Sequence, residues 1–285
     1  MSESAATDPI VLDTSSETRV PLVSAEDVAV VFGGSYVLKD INLNIPRGET
    51  LAIIGESGCG KTVLMKTLIG LVSPQTGGTI RYEQRNVAKM APVEKVEFRR
   101  KIGFVFQNAA LFDSMTIGQN IAFPLRQGGQ NDDAVIRELV MDSLADVGLP
   151  DDVVGKRPAQ LSGGMRKRVG IARALILKPE LVLYDEPTTG LDPIVSDVIN
   201  ELMLGSRRKY PVTSVIVTHD MKSARKVADR VIMLFPRRRL GDDESQMIFD
   251  GPPTALDNAD DRRVRQFVRG EAGERLMEMR ERVNV

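Results

Sequence analysis

Leu51-Ala52-Ile53-Ile54-Gly55-Glu56-Ser57-Gly58-Cys59-Gly60-Lys61-Thr62 is the stretch from which the fold is read. Its first four residues are a continuous apolar run, the pattern of a strand buried on both faces of a parallel sheet. The next eight follow G-x-x-x-x-G-K-[ST], the phosphate-binding pattern that joins a strand to a helix. Its glycines let backbone N–H groups turn inward without Cβ clashes. The following helix, expected over about 60–71 and ended by Ser73-Pro74, adds the positive end of its dipole. In this pattern Lys61 reaches the β- and γ-phosphates of a nucleoside triphosphate and Thr62 holds Mg²⁺ through its hydroxyl. Cys59 sits inside the loop. It reads first as a small residue tolerated there; a helix N-terminus and Lys61 can also lower a thiol pKa, and on that second reading alkylation blocks the nucleotide and the nucleotide protects the thiol.

Val28-Ala29-Val30-Val31-Phe32 and Ile41-Asn42-Leu43-Asn44-Ile45 read as strands joined near Gly33-Gly34. The second alternates apolar and polar residues, as a half-exposed antiparallel strand does. Ile102-Gly103-Phe104-Val105-Phe106 reads as another buried strand ending at Gln107. Residues 108–176 have helical character. Asn131-Asp132-Asp133 caps one helix there, Val135, Leu139 and Val140 recur at helical spacing, and Gly148 closes it. Strand patterns return at Leu181 to Tyr184, Thr213 to Val217 and Val231 to Leu234. Alternating strands and helices predict an α/β parallel sheet with helices on both faces.

At 285 residues the chain can bury a sizeable core. Its 38 basic and 39 acidic residues leave a net charge of −1, which argues against a nucleic-acid partner. A single cysteine permits no internal disulfide and fits a reducing compartment. No stretch approaches 18 consecutive apolar residues, so no bilayer span is expected. Residues 1–22 are expected as a disordered tail and lack the apolar core of a signal peptide.

A second set of motifs lies in the second half. Asp185 ends an apolar strand, where it can hold Mg²⁺. Glu186 follows and would face the γ-phosphate, where it can deprotonate water. Pro187 stops the strand and Asp192 lies just beyond. Upstream, Leu161-Ser162-Gly163-Gly164-Met165 opens a helix. Ser162 is a good N-cap, and Gly163 and Gly164 bare N–H groups at a helix start, which makes a second anion site.

In this order, the phosphate loop, the Ser162 turn and the acidic strand strongly resemble the ATPase subunits of ABC (ATP-binding cassette) machines over residues 25–270. The resemblance implies an α/β P-loop NTPase: a RecA-like parallel sheet core, an antiparallel β subdomain and an inserted helical lobe. It places the ATPase domain at 23–270, with the lobe at about 108–176. It also implies that two copies clamp ATP head to tail, with Ser162, Gly163 and Gly164 on the γ-phosphate held by the partner. Tyr184 to Pro193, including Asp192, is similar to the family's joined acidic strand and dimer-contact loop. His219, the lone histidine, matches the switch histidine that contacts the γ-phosphate. Gln107 matches the glutamine that senses Mg²⁺ and water. Phe32 falls where the family stacks an aromatic on adenine, with Tyr36 as the alternative.

Three segments narrow the resemblance. They are Gln107 to Ile117 with Asn120 and Phe123-Pro124-Leu125-Arg126, then Gly164 to Arg168, then Asp261 to Gly270. Together they resemble the ATPases of Mla/MCE (toluene-tolerance) lipid transporters. That implies a multispan permease, an MCE-domain lipid carrier and a peripheral position on the cytoplasmic face of the inner membrane. Two features depart from the family. Residues 235–245 lengthen a late hairpin, read as a solvated loop. Residues 271–285 add a charged helical tail, read as a solvated face or as an arm to a partner. A polar-solute transporter shares every catalytic motif, and a soluble, non-transport ABC ATPase is the alternative from another class.

Overall fold

The computed structural model describes residues 20–74 and 77–272. Most of the tail expected at 1–22 and all but the first two residues of the extension expected at 271–285 lie outside them. The strands β1 (Val23–Phe32) and β2 (Ser35–Ile45) form a hairpin closed by Gly33 and Gly34, with φ of 57° and 79°. Two consecutive left-handed residues give a turn whose twist matches that of the strands. In β2, Ile41, Leu43 and Ile45 are buried while Asn42 and Asn44 are exposed, the expected alternation.

The chain then enters β3 (Thr50–Gly55), buried along its whole length, and α1 (Lys61–Leu68). Helix α1 ends earlier than expected. Gly70 takes φ 68°, the N–H groups of Leu71 and Val72 donate to the Lys66 carbonyl, and Leu71 is exposed. Strands β4 (Thr79–Tyr82) and β5 (Arg85–Asn86), helix α2 (Pro92–Arg100) and strand β6 (Ile102–Val105) follow. Strand β6 is an edge strand, not a fully buried one. Ile102 and Phe104 are half-buried, and Phe106 lies past its end and is exposed.

Three helices come next: α3 (Ile117–Gln127), α4 (Asp133–Asp146) and α5 (Gly163–Leu175). Asp132 caps α4 by accepting from the N–H groups of Ala134 and Val135. Its buried stripe is Ile136, Val140 and Leu144, whereas Val135 is exposed. The apolar register is thus shifted by one residue at the first turn, because Val135 falls on the capped, solvent-facing side. The remaining elements are β7 (Leu181–Asp185), α6 (Pro193–Lys209), β8 (Thr213–Val217), α7 (Met221–Val227), β9 (Arg230–Leu234), β10 (Met247–Gly251) and α8 (Arg262–Arg269).

Two sheets result. A four-stranded antiparallel sheet has the order β2-β1-β4-β5. A six-stranded sheet has the order β10-β9-β3-β8-β7-β6, parallel except for β10. The period of two along each strand sorts side chains to opposite faces. Leu51, Ile53, Leu181, Leu183, Val215 and Val217 join α1 and the antiparallel sheet in one core. Val182, Tyr184 and Ile216 join α5 and α6 and the core of the helical lobe in a second. Ala52 and Ile54 face α7 and α8. The result is an α/β P-loop NTPase architecture in which the loops after β3, β6, β7 and β8 leave the sheet at one end, where such folds bind ligands.

Candidate functional site

The loop after β3 is shaped by close approach. A Cβ on Gly55, at φ 141°, would lie 2.2 Å from the Leu234 carbonyl oxygen. A Cβ on Gly60, at φ 100°, would lie 2.8 Å from Leu38 Cδ2. Only glycine tolerates both the left-handed backbone and the contact. Lys61 is buried, and its ammonium donates to the carbonyls of Gly55 (2.8 Å) and Glu56 (3.0 Å), so its charge is held inside the loop.

A cavity of about 1030 Å³ opens over this loop. Gly55, Glu56, Ser57, Gly58, Gly60, Lys61 and Thr62 line it, as do Gln107, Asp185, Glu186 and His219. Residues from four separate strand ends therefore converge on one space. Thr62 Oγ1 donates to Asp185 Oδ1 at 3.2 Å. Burial pushes the Asp185 carboxyl above its ordinary value, the bond from Thr62 pulls it back, and the neighbouring Glu186 charge pushes it up again. A hydroxyl, a carboxylate and the Gln107 amide oxygen are the hard oxygen donors that suit Mg²⁺, so this donor set fits that ion.

Glu186 stands just past β7 with φ 50°, a left-handed backbone that costs a non-glycine residue about 1 kcal/mol and more. Its N–H donates to the Val217 carbonyl at 2.9 Å, which fixes it to β8. Its Oε2 accepts from Thr189 Oγ1 at 2.9 Å and lies 2.8 Å from Nδ1 of His219. Asp220 caps α7 immediately after His219 by accepting from the Lys222 N–H.

Ser162 caps α5 by accepting from the Met165 N–H at 3.3 Å, and Asp192 caps α6 by accepting from Ile194 and Val195 at 3.0 Å. The two helix starts touch: a Cβ on Gly164 would lie 2.7 Å from Val195 Cγ1. The phosphate-loop cavity is lined by other residues, so Ser162, Gly163, Gly164 and Asp192 form a separate surface. From the β1–β2 hairpin, Val37 lines the cavity, while Phe32 and Tyr36 are 50% and 45% exposed.

Three features depart from the sequence reading. Cys59 is 1% exposed, and burial pushes its thiol pKa up, outweighing the pull of the Lys61 charge; the lowered pKa expected at a helix start does not occur. The segment 235–245 is not simply a solvated loop, because Phe235 is buried and Arg239 pairs with Glu56 of the phosphate loop. Lys167 was hidden within the basic run Arg166-Lys167-Arg168. It is buried and donates to the carbonyls of Pro187 (2.9 Å) and Thr189 (2.6 Å), with Glu186 O at 3.5 Å.

Residues 38–189, more than half of the chain, match the family model described as ABC transporter. This chain belongs to the ABC transporter family. The matched span holds the phosphate loop, the Ser162 turn and the acidic pair of its ATP-binding cassette. The probable ribonucleotide transport ATP-binding protein mkl of Mycobacterium tuberculosis (strain ATCC 25618 / H37Rv) is 40% identical over 84% of this chain and 64% of its own. The Mycobacterium leprae protein of the same name is 38% identical over 88% of this chain and 71% of its own. The methionine import ATP-binding protein MetN of Brucella abortus (strain 2308) is 39% identical over 79% and 60%. The chain thus spans about 64% of the length of the first of these relatives. Among solved structures, a dimeric ATP-binding cassette in a post-hydrolysis state with ADP and Pi aligns with a TM-score of 0.68 at 33% identity, over 76% of this chain and 97% of that one. The cassette cbiO1 of Clostridium perfringens, part of a cbiONQ transporter complex, aligns with a TM-score of 0.73 at 26% identity, over 93% and 99%. Among the described residues, no helix is long and apolar enough to cross a membrane.

Proposed function

We propose that this ABC cassette binds and hydrolyses ATP as one of two copies, on the cytoplasmic face of the inner membrane, and drives a multispan permease that moves lipid with an MCE-domain carrier. The observation that carries the ATPase part is a division of the site. Lys61, Thr62, Asp185 and Glu186 converge on one cavity, while the Ser162 helix start forms a separate surface. A second copy that sets its Ser162 turn over this cavity would complete the site.

In this reading the phosphate-loop amides and Lys61 hold the triphosphate. Thr62, Asp185 and Gln107 would hold Mg²⁺, which when bound neutralises phosphate charge. Glu186 accepts the proton of the attacking water, and His219 orients its carboxylate through the 2.8 Å contact. Ser162, Gly163 and Gly164 present N–H groups to the γ-phosphate of the partner's ATP. Loss of that phosphate removes the contacts and opens the pair, a two-state change biased by one group. Adenine rests beside Val37, with Phe32 closing over it as an aromatic cover.

Permease docking is supported by large apolar side chains exposed along the chain on either side of Gln107. Val93, Val96, Phe106 and Phe112 are exposed by 74%, 50%, 42% and 41%. Side chains of this kind mark contact surfaces. Lipid as cargo rests on the resemblance of 107–126, 164–168 and 261–270 to Mla/MCE ATPases. A polar solute is the second reading, favoured by the names of the mycobacterial and Brucella relatives. Gentle solubilisation of native membranes and identification of every co-purifying protein separates them. An MCE-domain protein with a permease supports lipid transport. A periplasmic solute-binding protein overturns the lipid assignment and leaves the ATPase. Ribosomal proteins, or no membrane partner, overturn the transport assignment.

A further inference from the structure

The lengthened segment between β9 and β10 is stapled to the phosphate loop at two points. At the first, Arg239 Nη1 lies 2.6 Å from Glu56 Oε1, with the two side chains 19% and 18% exposed. At the second, Gln246, 2% exposed, donates to the carbonyls of Cys59 (3.1 Å) and Val37 (2.8 Å) and accepts from the Lys39 N–H (3.0 Å). The Arg239 guanidinium itself lies over the Phe235 ring, its Cζ 4.6 Å from the centroid, and Arg263 of α8 lies over the same ring at 4.8 Å. Phe235 is 4% exposed, so this is a built arrangement. Arginine over an aromatic face is favourable and fixes the fork that meets the carboxylate.

Glu56 is the second residue of the phosphate loop and lines the same cavity as Lys61. A carboxylate there repels a triphosphate, and in a partly buried site that repulsion is less screened than in water. We propose that Arg239 is a positioning residue of the nucleotide site. By pairing with Glu56 it removes the repulsion of that carboxylate from the bound triphosphate, which makes the segment 235–246 a determinant of ATP affinity. The inference rests on the triphosphate reading of the cavity.

A double-mutant cycle on the full chain tests it. ATP is titrated calorimetrically in EDTA, so that binding and not turnover is read. Arg239→Gln keeps the stem against Phe235 and removes the charge. It is expected to weaken ATP binding about tenfold in the wild-type background and by less than about twofold in the Glu56→Gln background, the non-additivity of groups that act through one another. Arg239→Lys, which restores the charge, is expected to recover most of the affinity. Raising the salt should shrink the Arg239→Gln effect. Melting curves without nucleotide report on folding separately. An equal loss in both backgrounds would mean that Arg239 touches nucleotide directly or serves the fold alone, and either overturns the inference. So does an unchanged affinity in Arg239→Gln. Failure of the unmutated chain to bind ATP defeats the triphosphate reading itself, whereas an additive cycle defeats this inference alone.

Discussion

Nδ1 of His219 lies 2.8 Å from Oε2 of Glu186, and the same oxygen accepts from the Thr189 hydroxyl at 2.9 Å. The carboxylate is therefore held from two sides in the lining of the phosphate cavity. Such fixed orientation is what a base needs to meet a water in line with phosphorus.

Glu186→Gln keeps the shape and loses the proton acceptor. ATP binding should persist while phosphate release falls at least about a hundredfold. With ATP present the variant should elute as a dimer, because the γ-phosphate contacts are retained. His219→Ala should cost less than Glu186→Gln, since Thr189 still holds the carboxylate. Near-normal phosphate release in Glu186→Gln would remove Glu186 from the role of base.

Lys167 ties α5 to the loop that carries Glu186. Its ammonium serves the carbonyls of Pro187 and Thr189, in a position where burial pulls its pKa down. Lys167→Met keeps the volume and leaves those oxygens without a donor. The expected loss is about 2–4 kcal/mol of stability, seen as a lower denaturation midpoint. Turnover should fall more than ATP affinity, because the displaced loop carries Glu186, the proposed base, and not the phosphate cradle. A midpoint equal to wild type would show that water takes over these two carbonyls.

Cys59 supplies a check on burial. Its thiol is 1% exposed with a raised pKa, so thiolate is scarce and shielded. Maleimide labelling of the native chain should be at least about a hundredfold slower than in denaturant, since it must wait for local opening. ATP should add little protection. Rapid native labelling that ATP abolishes would restore the reactive-thiol expectation.

Much of this was legible from local pattern. The run 51–54 gave a buried strand because both faces of a parallel sheet are covered, and Gly33-Gly34 gave the turn between β1 and β2 because glycine takes the left-handed backbone of a tight turn at little cost. The positions of the phosphate loop and acidic pair were legible because each follows directly on an apolar strand, and β3 and β7 bring both to one cavity. Phe235, Arg239 and Glu56 were not. Their contact joins residues 183 apart, and no neighbouring residue carries a trace of it. Lys167 was equally hidden, because a basic run on a helix reads as a solvated face until the helix is docked. Val135 misled for a smaller reason: at the first turn of α4 one residue separates the capped side from the buried side.

Glu180 joins the two sheets, and its titration offers a test of that joint. Burial alone would raise its pKa, but bonds from Lys101 (2.8 Å), Arg47 (2.9 Å) and the Tyr82 hydroxyl (3.0 Å) outweigh it and hold the carboxyl at about 2, against an ordinary 4.5. Tyr82 belongs to β4 of the antiparallel sheet, whereas Glu180 precedes β7 and Lys101 precedes β6 of the parallel sheet. A folded pKa below the unfolded one means that the folded state holds fewer protons, so the stabilisation is complete above pH 4.5 and drains away as the pH falls toward about 2. Glu180→Gln lacks this titration. Near neutral pH it should be less stable than wild type by about 1 kcal/mol, a modest figure because solvent screens a carboxylate that is partly exposed. The gap should close as the pH drops through that window, when urea midpoints of the two chains are compared. A gap that stays constant from neutral pH to pH 3 would show that the three donors stabilise the joint without depending on the charge of Glu180.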